Sequence, residues 1–138
     1  MYRAPEMLDT WSNYPVDTKA DIWACGCLLF VLCFHNHPFE DSAKLAIVNG
    51  NYKIPPNDTK YTMFHDLIRQ MLTVDPSLRP DSNQVLQHLT GVSLSSGIDP
   101  TLVSVVNRWL NLSNGKLEMK TLIIKTIELL IKSIILVF

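Results

Sequence analysis

Glycine, cysteine and surplus charge are all scarce in this chain, and each shortage excludes a class of function. The five glycines, at 26, 50, 91, 97 and 115, never approach Gly-x-Gly-x-x-Gly spacing. No loop of that type can therefore bring successive backbone N–H groups onto a phosphate. Net charge is −1, from twelve basic and thirteen acidic residues, which leaves no field to gather nucleic acid or an anionic membrane surface. Cysteine occurs three times, at Cys25, Cys27 and Cys33; an odd set in one apolar stretch is a poor disulfide framework and fits a reducing compartment. On a helix Cys25 and Cys27 lie about 200° apart, too far round to share a metal, so they read as small buried hydrophobes.

Long apolar runs are lacking as well. Ile22 to Phe34 is a stretch of thirteen uncharged residues, short of the roughly twenty that cross a bilayer. Arg3, Glu6 and Asp9 break up any signal-peptide core at the start of the chain. Two sequons, Asn57-Asp58-Thr59 and Asn111-Leu112-Ser113, would matter only in a secreted protein and read as coincidence. His35-x-His37 lacks a third ligand at usable spacing and sits beside Pro38-Phe39, so no metal site is expected.

What is present is helical pattern. Asp17-Thr18 offers an N-cap to a helix from about Lys19 to Phe34, and a helix apolar on every side belongs at the centre of a core. Asn36 to Ser42 reads as a loop, and Ala43 to Val48 as a short helix closed near Gly50. Pro55-Pro56 and Asn57-Asp58-Thr59 read as irregular chain. From Thr62, the spacing of Met63, Phe64, Leu67, Ile68, Met71 and Leu72 predicts an amphipathic helix ending before Pro76. Asp81 or Ser82 caps a further helix with Val85, Leu86 and Leu89 inward. His65 and His88 fall on these helices, where polar-face exposure is the default.

Three motifs carry chemistry: Tyr2-Arg3-Ala4-Pro5-Glu6, Asp21-Ile22-Trp23-Ala24-Cys25-Gly26, and Asp75-Pro76-Ser77-Leu78-Arg79-Pro80. Spaced as they are, they resemble the second half of a protein-kinase catalytic domain, over roughly residues 1–92. The Ala-Pro-Glu tripeptide closes the activation segment of such a domain. Tyr14-Pro15, Leu32-Cys33-Phe34, His37-Pro38-Phe39-Glu40-Asp41, Ala43-Lys44-Leu45, Ile47-Val48-Asn49-Gly50 and Ile54-Pro55-Pro56 are similar to the Numb-associated kinases, in their cyclin-G-associated, auxilin-related branch. The implied fold is mainly α: the C-terminal, larger lobe of the protein-kinase-like fold, truncated before the Ala-Pro-Glu motif.

The resemblance assigns roles to residues. Glu6 and Arg79 pair, the guanidinium fork gripping the carboxylate and pinning the substrate-facing loop to the lobe. Asp21 accepts hydrogen bonds from the catalytic loop of the whole domain; read alone, it is a first-turn aspartate stabilised by the helix dipole. Leu28 and Leu32 support the hydrophobic column beneath the adenine ring, or are simply core leucines four apart. Trp23 and Gly26 are packing residues, and Tyr2, Arg3 and Ala4 border the phosphoacceptor pocket. No residue is assigned a catalytic role. Phosphoryl transfer needs a glycine-rich loop, a strand lysine, and the His-Arg-Asp and Asp-Phe-Gly motifs; Gly-x-Gly-x-x-Gly, His-Arg-Asp and Asp-Phe-Gly do not occur in these 138 residues.

The expectation is thus a Ser/Thr-kinase fragment, inactive alone and without cofactor, whose parent uses ATP and Mg on clathrin-adaptor or vesicle-traffic proteins. The rival reading is a non-catalytic module that binds substrates or partners. Expected partners are protein substrates, adaptor complexes and the remainder of the kinase domain, with no nucleic acid; the expected location is cytoplasmic, at clathrin-coated vesicles.

The organisation is read as a partial kinase domain at 1–92, a connector at 93–115 and an amphipathic apolar helix at 116–138. In that last segment Glu118, Thr121, Lys125, Glu128 and Lys132 recur at steps of three and four, one polar stripe on a helix. Three readings compete: a docking helix for the lobe or a partner, an extension foreign to the domain, and a membrane anchor. The anchor is disfavoured by its charges.

Overall fold

A computed structural model describes residues 2–40, 43–95, 97, 108, 121, 124, 125, 127, 128 and 132. The described elements are α1 (Pro5–Leu8), α2 (Thr18–Phe34), α3 (Lys44–Val48), α4 (Thr62–Met71), a 3-10 turn (Pro76–Leu78) and α5 (Ser82–Ser95). The architecture is mainly helical, and no strand occurs among the described residues. The chain divides into two compact units, Met1–Asp81 and Ser82–Phe138.

The first unit is built on α2. Asp17 caps it, its Oδ1 accepting the Lys19 N–H at 2.9 Å, so one of the unpaired donors of the first turn is satisfied. The helix ends where His35 turns left-handed, with φ of 60°. Ile22, Trp23, Cys25, Cys27, Leu29, Phe30 and Cys33 are all buried, as expected of a helix with no polar face.

α2 packs on α4, and Gly26 sets how closely. A Cβ at position 26 would stand 2.8 Å from Met71 Cβ and 3.0 Å from Leu72 Cδ2. The predicted face of α4 is the packed one: Phe64, Leu67, Ile68, Met71 and Leu72 are buried, with Met63 half-buried. α3 closes as a Schellman turn, the Asn51 N–H reaching Ala46 O at 2.8 Å and the Gly50 N–H reaching Ile47 O at 3.0 Å. Gly50 takes φ of 60° there, and a Cβ would meet Val74 Cγ2 at 2.7 Å, so glycine is required twice over.

Two elements lie beyond what periodicity reveals. The Pro5–Leu8 turn and the Pro76–Leu78 turn are too short to show a repeat, and each starts on a proline preset for the first helical position.

The second unit contains α5, whose Val85, Leu89 and Val92 are buried and Leu86 half-buried. This helix runs to Ser95, three residues past the expected limit of the kinase-like region at 92. Of the 116–138 segment, Thr121, Ile124, Lys125, Ile127, Glu128 and Lys132 are helical; Ile127 is buried while Lys125, Glu128 and Lys132 are exposed. Glu118 lies outside the described residues, as do Asp41 and Ser42.

Burial pushes the Cys27 and Cys33 thiols from an ordinary 9.0 up to about 12. Above pH 9 the unfolded thiols ionise while the folded ones hold their protons, so stability falls progressively between pH 9 and about 12. The thiols should resist a disulfide reagent at pH 8 until denaturant is added, which a thiol titration with and without urea checks. Gly26→Ala, although it improves helix propensity, should destabilise the chain by about 1–3 kcal/mol through overpacking. Gly91→Ala, in α5 with nothing within 4 Å of the added carbon, should stabilise by about 0.5–1 kcal/mol. Urea titration of both variants distinguishes close approach from propensity.

Candidate functional site

The best-defined polar site is built around one buried guanidinium. Arg79 is 1% exposed, and a cation removed from water must have its donors met within the protein. All five are. Nη1 donates to Glu6 Oε1 at 2.9 Å and Nη2 to Glu6 Oε2 at 3.1 Å, a two-pronged pairing of fork and carboxylate. Nη1 also donates to Lys19 O at 2.6 Å, Nη2 to Val74 O at 3.2 Å, and Nε to Thr73 O at 2.9 Å. The Arg79 Cζ lies over the Trp23 ring, 5.2 Å from its centre, which adds cation–π attraction in a desolvated setting.

Local chemistry places each partner. Ala4 is fully buried, Pro5 starts the turn, and the Met7 N–H returns to Ala4 O at 3.0 Å, which sets Glu6 inward. Asp75 Oδ1 accepts the Ser77 N–H at 2.9 Å and its hydroxyl at 2.7 Å. Those bonds hold the Asp75 carboxyl below its ordinary range. The 3-10 turn they cap delivers Arg79. Lys19 closes a reciprocal link, its ammonium donating to Arg79 O while its own carbonyl accepts from Arg79.

From Trp23 an aromatic row continues through the unit. Phe39 stacks on Trp23 at 5.5 Å with planes 10° apart, Tyr52 meets Phe39 edge-on at 5.9 Å, and Phe30 meets Tyr52 at 6.2 Å. Phe34 then contacts Phe30, Tyr61 and His65. His65 is not on an exposed polar face as the amphipathic pattern implies; its ring contacts Phe34 and its Nε2 lies 2.8 Å from Asp58 Oδ2. The same carboxylate accepts the Tyr61 N–H at 3.0 Å, a turn contact that helical periodicity does not report.

The remaining assigned residues are dispersed. Tyr2 and Arg3 are exposed, in contrast to Ala4, and the Tyr2 ring lies 5.2 Å from that of His37. Asp21 is exposed on the first turn of α2, with Ala24, Leu28 and Leu32 half-buried at the spacing of one helical face. Among the described residues no group of three or more His, Cys, Asp or Glu is placed to hold a metal ion.

The residues that build the buried fork, the 3-10 turn and the apolar helix all lie within a match to a known family. A profile for the protein kinase domain matches residues 1–89. The chain belongs to the protein kinase domain family. A probable serine/threonine-protein kinase of Dictyostelium discoideum is 46% identical over 95 residues, which is 69% of this chain and 12% of that protein. Actin-regulating kinase 1 of Saccharomyces cerevisiae is 40% identical over 89 residues, 64% of this chain and 14% of the yeast protein. The actin-regulating kinase PRK1 of the same yeast is 39% identical over 89 residues, 64% of this chain and 11% of its own length. The chain thus spans a small part of the length of each relative.

In this kinase-domain segment sequence motifs located Glu6 and Arg79. They could not locate the three carbonyls, because backbone acceptors carry no residue signature. Arg79→Ala should destabilise by about 3–5 kcal/mol, since the Glu6 charge is left buried and unpaired. Arg79→Lys should recover only part of this, because an ammonium cannot reproduce the planar fork. Lys44→Ala, at an exposed position, should change stability by under about 0.5 kcal/mol. Urea unfolding midpoints compare the three.

Proposed function

We propose that this chain is the substrate-side portion of the C-terminal lobe of a Numb-associated-type Ser/Thr kinase. The observation that carries the reading is the buried Glu6–Arg79 fork, 2.9 and 3.1 Å across its two arms. It fastens the Ala4-Pro5-Glu6 segment, and with it the exposed Tyr2 and Arg3, to the lobe. On this reading Tyr2 and Arg3 lie beside the phosphoacceptor residue of a protein substrate. The face bearing Asp21, Leu28 and Leu32 receives the rest of the catalytic domain, Asp21 meeting the catalytic loop and the leucines supporting the column under the adenine. Partial exposure of that face supports this.

The parent transfers the γ-phosphate of ATP, with Mg, to Ser or Thr. The Ser/Thr kinases among its relatives support that activity. The two yeast relatives are named for actin regulation. Clathrin adaptors as substrates, and clathrin-coated vesicles as location, follow from the Numb-associated resemblance of segments such as Ile47-Val48-Asn49-Gly50 and Ile54-Pro55-Pro56. No helix among the described residues is long and apolar enough to cross a membrane.

These 138 residues contain no Gly-x-Gly-x-x-Gly, His-Arg-Asp or Asp-Phe-Gly sequence. Without groups to position phosphates and metal there is no route to the rate enhancement. On this reading the chain by itself is inactive, and the rival reading makes it a non-catalytic module that binds substrates or partners. The purified chain should neither bind ATP calorimetrically nor incorporate phosphate into an adaptor protein. A hybrid carrying the preceding kinase portion of the Dictyostelium relative ahead of Tyr2 should phosphorylate Ser or Thr. Mg-dependent transfer by the chain alone, surviving repurification, or a folded but inactive hybrid, would overturn the reading.

A further inference from the structure

We propose that a trough on the first unit, lined by Gly50, Tyr52, Lys53, Ile54, Pro56 and Arg69, is a docking site for an acidic, apolar-anchored peptide segment of a partner protein. It is separate from the Glu6–Arg79 anchor, and the inference does not depend on kinase activity in any form of the chain. The trough is open to solvent and holds about 490 Å³, within the ~300–1,000 Å³ of typical ligand sites.

Its chemistry selects the occupant. The two charged residues of the lining, Lys53 and Arg69, are both cationic, while Tyr52, Ile54 and Pro56 supply aromatic and aliphatic surface. Arg69 lies close enough to Tyr52 for its charge to oppose the upward push that burial gives the Tyr52 phenol, so one cation stands beside the aromatic wall. Arg69 pairs with Asp66 at 3.1 Å, with side chains 57% and 81% exposed. An exposed pair of that kind is worth little, and a ligand carboxylate can replace it by a two-pronged contact with the fork. Two cations are too few to hold a nucleic acid, and the chain's net charge of −1 adds no attraction for a polyanion. Acidic side chains spaced around a leucine or proline match both parts of the lining.

The trough is also held in shape. Gly50 is committed to φ of 60° against Val74. The Tyr52 ring is wedged edge-on between Phe30 and Phe39, at 6.2 and 5.9 Å. Beyond Pro55-Pro56, Asp58 ties the loop to α4 through His65 at 2.8 Å and to the Tyr61 N–H at 3.0 Å. A preformed lining loses little conformational freedom on binding.

The test is fluorescence anisotropy on the full 138-residue chain with a labelled peptide in which glutamates alternate with leucine and proline. Its partners are a copy with glutamine for every glutamate and vesicles of anionic phospholipid. The acidic peptide should bind, weaken as salt is raised, and lose about tenfold or more in affinity with the paired substitution Lys53→Glu and Arg69→Glu. Ile54→Ala should weaken it through the apolar part, and Lys44→Glu should leave it unchanged. Circular dichroism establishes that the variants are folded, and Lys53→Gln with Arg69→Gln stands in if charge reversal unfolds the chain. Equal binding of the glutamine peptide, indifference to the paired substitution, equal loss with Lys44→Glu, preference for the vesicles, or no binding up to millimolar peptide each overturns the proposal.

Discussion

Most of the first unit can be understood as the solution to burying one positive charge. A guanidinium out of water needs an anion and acceptors for each remaining donor, and Arg79 draws them from three stretches of chain. Glu6 supplies the carboxylate, Lys19 the carbonyl at the head of α2, and Thr73 and Val74 the carbonyls that follow α4. Because the guanidinium holds its five donors in a fixed fork, moving any contributor strands a donor. The short α1, the capped start of α2 and the 3-10 turn are thereby held in mutual register by geometry that small separate elements could not maintain.

The second constraint is α2 itself. A helix with no polar face has to be covered from several directions, and Gly26 brings α4 in closer than any side chain would allow. Trp23 joins the two constraints: one face of its ring carries the Arg79 guanidinium and its plane stacks with Phe39. The row through Tyr52, Phe30 and Phe34 to His65 and Asp58 links the charge anchor to the loop that forms the cationic trough. A buried charge and a surface site are thus supported by the same packed rings, which behave as a dense, weakly compressible interior.

This arrangement suits a scaffold. What it holds steady are exposed features: Tyr2 and Arg3 ahead of the anchored turn, the half-covered face of α2, and the trough beside α4. On the proposed reading these residues present surfaces, and the phosphate-handling groups belong to the rest of the domain. That division fits a kinase domain, whose substrate platform and phosphate-handling parts are built from different segments of the chain.

The sequence alone determined the four longer helices, α2 to α5, and the identity of the anchor pair. An uninterrupted apolar run and Asp17 placed α2, the Met63 to Leu72 spacing placed α4, Gly50 placed the end of α3, and the kinase-like motifs named Glu6 with Arg79. These are local or pairwise signals, carried by side-chain type. The tertiary structure decided what depends on backbone position: the carbonyls of Lys19, Thr73 and Val74 around the guanidinium, the Trp23 face beneath it, and the turn that draws His65 from solvent onto Asp58. It also separated Ala4, which is buried, from its neighbours Tyr2 and Arg3, and joined Lys53 to Arg69 across sixteen positions. Carbonyl oxygens are the same in every residue and ring contacts follow from packing, so neither leaves a trace in the order of side chains until the chain has folded.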